Sequence, residues 1–258
     1  MKSPTLPRMA IVATLALTAG ATVVAQRGGF GDLGFPGYRP SYAPNVPYDG
    51  KFVFVRMSYP TRSGREMLWA HDYPVGEQHF LRILTAVTNI RAHVDSTSVM
   101  AFDDPEMFKF PVIYLVEPGP WWLSEEEVLA LRAYLAKGGF LIVDDFPLSA
   151  WPNFDLQMSR VFPNARWHDL DVTHPIFRTF FEIESLPAYP PYDRLGYAPV
   201  FRALFEENDP NKRMQVMANY QNDLSEYWES SDQGTSPVAE TNEAYKIGIN
   251  EFIYGLTR

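Results

Sequence analysis

The sequence predicts an α/β layer fold, a parallel sheet covered by helices. Three observations carry that prediction. Short continuous apolar runs at 110–117 and 140–143 fit strands buried on both faces. Stretches with apolar residues at helical spacing separate them. The resulting strand–helix–strand order requires crossovers that cover a parallel sheet. With 258 residues, 46% hydrophobic and 15% aromatic, the chain can bury a sizeable core and is not mainly disordered.

The elements follow in order. Alternation of Phe52, Phe54 with Val53, Val55 makes 51–59 an early strand. Phe80, Leu84 and Val87, with Ile83 or Ile90, place one apolar face on a helix over 77–91. A weaker strand falls at 93–99. The run Phe110–Glu117 ends at Pro118-Gly119-Pro120. Ser124-Glu125-Glu126-Glu127 is a capping box: the Ser124 hydroxyl accepts from the third helical N–H and Glu127 reaches back. Its three acids suit the positive helix end, so they are read as capping rather than catalytic. That helix stops at Gly138-Gly139. A buried strand over 140–143 then leads into Asp144-Asp145. A helix over 154–162, a strand over 213–220 and a last helix from Ser236-Pro237 to about Tyr254 complete the set. Residues 163–212 read as irregular and proline-rich. One domain over 51–258 is expected.

The first residues read as an address. Lys2 and Arg8 precede an apolar run from Met9 to Val24, and Val23-Val24-Ala25 offers small residues for cleavage. The run is short for a membrane span. A secretory signal over 1–25 is therefore expected, with a Gly/Pro-rich flexible tether over 26–50. No integral membrane segment is expected after cleavage. The formal net charge of −9 argues against nucleic-acid partners. With no cysteine there is no disulfide, thiolate metal site, Cys nucleophile or lipid-modified cysteine. Gly29-Phe30-Gly31-Asp32-Leu33-Gly34 matches the dinucleotide pattern only formally, because no strand precedes it and Pro36 follows. No two glycines are four apart, so no nucleophile elbow exists, and there is no P-loop.

In parallel sheets ligands bind beyond the carboxyl ends of the strands. Arg56, Tyr59, Glu117, Asp144, Asp145 and Asn219 all fall at such ends. Asp144 and Asp145 stand out: one can face a cleft while the other caps the next element, or both can order the following loop. Trp69-Ala70-His71-Asp72-Tyr73-Pro74 offers either an aromatic platform for a sugar, through Trp69, Asp72 and Tyr73, or a plug for the sheet end. His168, Asp169, Asp171 and His174 are sound metal-ligand types within seven residues, although their spacing matches no standard site. His174 is a general-base candidate or a packed histidine. His71, His79 and His93 show no partner pattern. Tyr189-Pro190-Pro191-Tyr192 suggests a polyproline stretch.

These residues also form a familiar series. Arg56-x-x-Tyr59 is followed by Trp69-x-x-Asp72-Tyr73-Pro74 and then by the strand entering Pro118-Gly119. Gly138-Gly139-Phe140-Leu141-Ile142-Val143-Asp144-Asp145-Phe146 comes next, then Met158-x-x-Val161-Phe162-Pro163, His174-Pro175-Ile176-Phe177 and Tyr245-Lys246-x-Gly248-x-Asn250. Over about 51–256 the chain resembles the DUF4159 family, whose function is unknown. The resemblance implies a three-layer, flavodoxin-like parallel sheet sandwiched by helices, similar to class I glutamine amidotransferases and trehalose-utilisation-like proteins. Amidotransferases of that fold use a Cys-His-Glu triad, and this chain has no Cys, so that activity does not carry over. Relatives encoded near AAA-type ATPases and envelope proteins point to the cell envelope.

The expected function is therefore an exported, periplasmic or extracellular, non-catalytic binding or assembly module. Its contact surface would comprise Arg56, Tyr59, Trp69, Asp72, Tyr73, Asp144, Asp145, His174 and Asn219. No cofactor is expected, and the partner would be a carbohydrate, a peptide or an envelope protein. The alternative is a metal-assisted hydrolase using Asp144 or Asp145 with His174, which requires those side chains to converge on one open cleft.

Overall fold

A computed structural model describes residues 44–61, 67–186 and 198–258. The expected signal, most of the tether, the Gly29–Gly34 pattern and the Tyr189–Tyr192 stretch lie outside the described residues. The sheet is built from β1 (Val55–Met57), β2 (Ser98–Met100), β3 (Val112–Val116), β4 (Phe140–Phe146), β5 (His168–Asp169), β6 (Val200–Phe205) and β7 (Met214–Tyr220). The helices are α1 (Val75–Val87), α2 (Glu125–Ala136), α3 (Trp151–Val161), α4 (Leu224–Glu229) and α5 (Val238–Thr257).

The strands form one seven-stranded sheet in the order β2-β1-β3-β4-β7-β6-β5. β2, β1, β3, β4 and β7 run parallel. Their order is that of a doubly wound sheet, reversing direction between β1 and β3. β6 runs antiparallel to β7, and β5 antiparallel to β6. The sheet is thus mixed rather than wholly parallel, and the stretch expected to be irregular supplies its antiparallel edge. β6 eluded the sequence reading because VFRALF places Arg202 inside a short apolar run next to a proline-rich segment. Pairing with β7 overrides that weak local signal.

Alternation along the strands divides the interior into two cores. Leu141 and Val143 pack with Leu131, Leu135, Phe154 and Met158, so α2 and α3 cover one face. Phe140 and Ile142 pack with Phe80, Leu84, Trp228, Ile249 and Phe252, so α1, α4 and α5 cover the other. At about 25 cal/mol per Å² of apolar surface, these two burials are the main favourable term in folding.

Local chemistry sets the element ends. The Ser124 capping box forms as expected, with Glu127 N donating to Ser124 Oγ at 3.1 Å and Ser124 N to Glu127 Oε2 at 2.8 Å. Gly138 ends α2 at a φ of 111°. A Cβ on the next residue, Gly139, would lie 2.3 Å from the Tyr134 ring. The described end of the expected tether is docked: Asn45 exchanges two 2.8 Å hydrogen bonds with the Val99 backbone, occupying the edge of β2. No helix among the described residues is long and apolar enough to cross a membrane.

Candidate functional site

The reversal of strand order between β1 and β3 opens a crevice at their carboxyl ends, the usual ligand position in such sheets. The chain leaves β1, turns through the 3-10 helix Leu68–Ala70 and delivers His71 and Asp72 there. Glu117 directly follows β3, and β4 carries Asp145. The turn after β7 supplies Asp223, which caps α4: its Oδ1 accepts from Glu226 N at 2.9 Å. Asp72, Glu117, Asp145 and Gln221, each leaving or entering such a turn, have φ between 50° and 61°. Non-glycine residues held there are strained, and such strain concentrates at functional sites.

A bulge accounts for the different fates of the paired acids. The β4–β7 register runs regularly to Val143↔Ala218 and shifts before Phe146↔Tyr220. Asp144 keeps the phase of Ile142 and turns inward. Its Oδ2 accepts from Tyr114 Oη at 2.6 Å and from the Leu224 and Ser225 amides at 2.9 and 3.0 Å. Asp145 is the extra residue. It lets Phe146 enter the α2–α3 core, and its own carboxylate meets His71, Nδ1 to Oδ2 at 3.0 Å. Asp144 is thus the structural member of the pair, and Asp145 belongs to the crevice.

Around Asp145 the ligand-type side chains fall into three groups whose atoms lie within 4.8 Å of one another: His71, Glu117 and Asp145; Asp72, Asp145 and Asp223; Asp72, Glu226 and Glu229. Asp145 and Asp72 are each shared by two groups. Crowded carboxylates in a poorly hydrated crevice hold their protons. Burial and the Asp145 charge push Glu117 up to about 7. Burial, then Asp145, Asp144 and Asp72, push Asp223 well above the usual carboxylate range. Burial, with Asp72 next, raises Glu226 and Glu229. The hydrogen bond to Asp145 likewise raises His71, up to about 9, so at neutral pH it is an imidazolium and not a base.

Other candidates prove to be supports. Arg56 is buried and binds Glu77 Oε1 of α1 at 2.5 and 2.6 Å. It also donates to Trp69 O at 3.4 Å and lies over the Tyr114 ring, so it anchors the loop that presents His71 and Asp72. Tyr59 is buried and donates its hydroxyl to the Glu117 backbone carbonyl, orienting that strand end. Trp69 is 7% exposed and packs in the core, and the Tyr73 hydroxyl meets Thr97 Oγ1 at 2.8 Å. The aromatic hexamer therefore plugs the sheet end and offers no sugar platform. Asn219 is buried and donates to Glu251 Oε2 at 3.2 Å.

The histidine–aspartate series lies elsewhere. His168 and Asp169 form β5 and pair with Ala203 and Arg202 in the middle of β6. Towards the amino end of β7, where Lys212 and Arg213 lead into the strand, His168 and Asp169 join Asp171 and His174 in lining an open cavity of about 760 Å³. They do not form a metal centre. Asp169 pairs with Arg202 at 2.8 Å, Asp171 accepts from Thr173 N at 2.8 Å, and His174 Nδ1 accepts from Ile176 N at 3.2 Å. Burial lowers His174, keeping it neutral. His174 packs on Phe205, which pairs with Met214 at the start of β7, whereas Asp144 and Asp145 lie four and five residues beyond the start of β4, roughly 13–17 Å along the strand and two strands across the sheet. The hydrolase pairing of either acid with His174 is therefore excluded by topology.

The histidine that meets the acid is His71, together with Asp223, and sequence reasoning selected neither. A cap signal, Asp223 three residues before Glu226, was available for the second.

Fold and crevice together define a doubly wound α/β protein with an acidic basin at its strand-order reversal. The family model for DUF4159, described as a domain of unknown function, matches residues 52–256. The chain belongs to that family. No curated protein matches it.

Proposed function

We propose that this domain is a binding module whose ligand occupies the acidic basin at the carboxyl ends of β1, β3 and β4, and that the chain acts as an exported protein of the cell envelope. The single observation supporting this reading is the convergence of His71, Asp72, Glu117, Asp145 and Asp223 from separate loops and strand ends on one crevice. His71 and Glu117 give the basin access to solvent, with side chains 52% and 23% exposed. The excess of carboxylates favours ligands with positive charge, such as amino sugars or peptides bearing basic side chains. A binding role is favoured over hydrolysis because His71, the histidine that the described residues bring to the basin, is held protonated by Asp145, which removes it as a general base.

Export is supported by Lys2, Arg8, the apolar run to Val24 and the small residues ending at Ala25. Cell fractionation with N-terminal sequencing should recover a chain beginning at Gln26 outside the cytoplasm; a cytoplasmic chain retaining Met1 overturns export. For the basin, thermal melting in EDTA against amino sugars, cell-wall peptides and basic peptides should show a saturable rise in midpoint with at least one class. Asp145→Asn should abolish the rise. No response from any class, or an unchanged response in Asp145→Asn, overturns the basin as the organic-ligand site.

A further inference from the structure

Asp72 is the least satisfied group in the basin. Its side chain is 1% exposed, yet among the described residues neither carboxylate oxygen meets an N–H or hydroxyl donor, and the side chain it does contact is another acid, Glu229. The nearest base, His71 Nε2, is 3.7 Å from Oδ1, too far for a hydrogen bond. Its close neighbours are other carboxylates, Asp145 and Asp223 on one side and Glu226 and Glu229 on the other. A buried carboxylate without a donor needs a compensating charge. Among the described residues the positive charges close by are already engaged: the half-exposed His71 imidazolium is held by Asp145 at 3.0 Å, and the buried Arg56 is committed to Glu77.

We propose that Asp72, Asp145 and Asp223 bind a hard divalent cation of the magnesium, manganese or calcium class. This inference rests on the reading of the basin as a binding site and names a ligand for it. Three facts of geometry support it. Oxygens from all three residues already lie within 4.8 Å of one another, close enough to converge on one ion with little movement. The ligand set is entirely oxygen, which suits hard cations rather than zinc or copper. Asp72 and Asp145 sit at constrained positive-φ positions, and Asp223 is fixed by capping α4, so the donors are held by the fold rather than by mobile side chains alone. Water entering past His71 and Glu117 would complete the coordination.

The test uses the full chain stripped with EDTA and titrated separately with magnesium, manganese and calcium chloride, followed by calorimetry and thermal melting. Saturable binding of at least one cation is expected, with a raised midpoint. Asp72→Asn and Asp223→Asn should each weaken it roughly tenfold or more, since even supporting residues around metals carry 10–100-fold effects. His174→Ala should leave it unchanged. Asp72→Asn should also melt no lower than the wild type without metal, because it removes repulsion; that result separates lost ligation from lost folding. Should Asp223→Asn fail to fold for want of its cap, Asp72→Asn alone decides.

No saturable response to any of the three cations up to about 10 mM, above the range of weak calcium sites, overturns the inference. Unchanged affinity in Asp72→Asn does the same. A cation response with no organic ligand in EDTA upholds this inference and overturns the organic-ligand reading. An organic ligand that binds in EDTA, with no cation response, has the opposite meaning.

Discussion

The two ends of the sheet carry similar side chains and treat them differently. Towards the amino end of β7, His168, Asp169, Asp171 and His174 come from one short segment and surround an open cavity. Asp171 and His174 are satisfied within their own turns by Thr173 and Ile176, and Asp169 by Arg202 of the neighbouring strand. At the carboxyl ends of the parallel strands, His71, Asp72, Glu117, Asp145 and Asp223 arrive from separate loops and strand ends, and among the described residues no N–H or hydroxyl reaches the Asp72 carboxylate. In the first group the acids are satisfied by a turn and an ion pair and the unmet atom is a ring nitrogen, His168 Nε2, whereas convergence at the other end leaves a carboxylate buried without a donor among the described residues. Unmet buried charge is the better sign of a site, because it costs stability unless a ligand compensates it.

The largest expected effect strikes the scaffold of the acidic end. Arg56→Met leaves Glu77 buried and unpaired, and should lower unfolding free energy by about 3–5 kcal/mol in urea titration. The double change Arg56→Met, Glu77→Leu should recover most of the loss. Failure to recover it would mean that Arg56 acts mainly through Trp69 and Tyr114, not through the ion pair.

A second effect concerns pH. Glu251 is fully buried beneath the basin, and burial, followed by the Asp144 charge, holds it well above the usual range. The folded state therefore keeps a proton that the unfolded chain releases above its ordinary value of about 4.3. Stability from this group is full below that value and declines as pH rises towards the folded value, by at most about 1.4 kcal/mol per pH unit. Glu251→Gln should flatten the decline of melting temperature with pH, and the mutant should gain on the wild type as pH increases. Parallel curves for the two proteins would refute the assignment.

The smallest effect belongs to the other end. The Arg202–Asp169 pair is largely solvent-exposed on its acidic side, so Asp169→Asn should change stability by no more than about 0.5 kcal/mol. Chemical denaturation reads this directly. A loss comparable to that of Arg56→Met would erase the contrast between the two ends.

Much of the fold was legible locally. The Ser124 capping box, the Gly138 stop, the buried runs of β3 and β4 and the α/β class all depend on interactions within a few residues, which a sequence displays directly. β6 was not legible, since its partner β7 decides it. Asp145 was visible as a strand-end acid and Asp72 as part of the Trp69–Pro74 hexamer, but their roles were not. The β4 bulge turned Asp144 into a buried acceptor and Asp145 into a basin residue, and no pattern in Val143-Asp144-Asp145-Phe146 distinguishes them.

The sequence by itself determined the family, the layer class, the helix ends and the set of acids available at strand ends, because each follows from short-range hydrogen bonding and apolar periodicity. Only the tertiary structure decided which histidine meets which acid. Strand order carried His71 to Asp145 across more than seventy residues and left His174 at the far end of the same sheet. That choice depends on crossovers and sheet pairing, which are global properties of the chain and are written in no single segment.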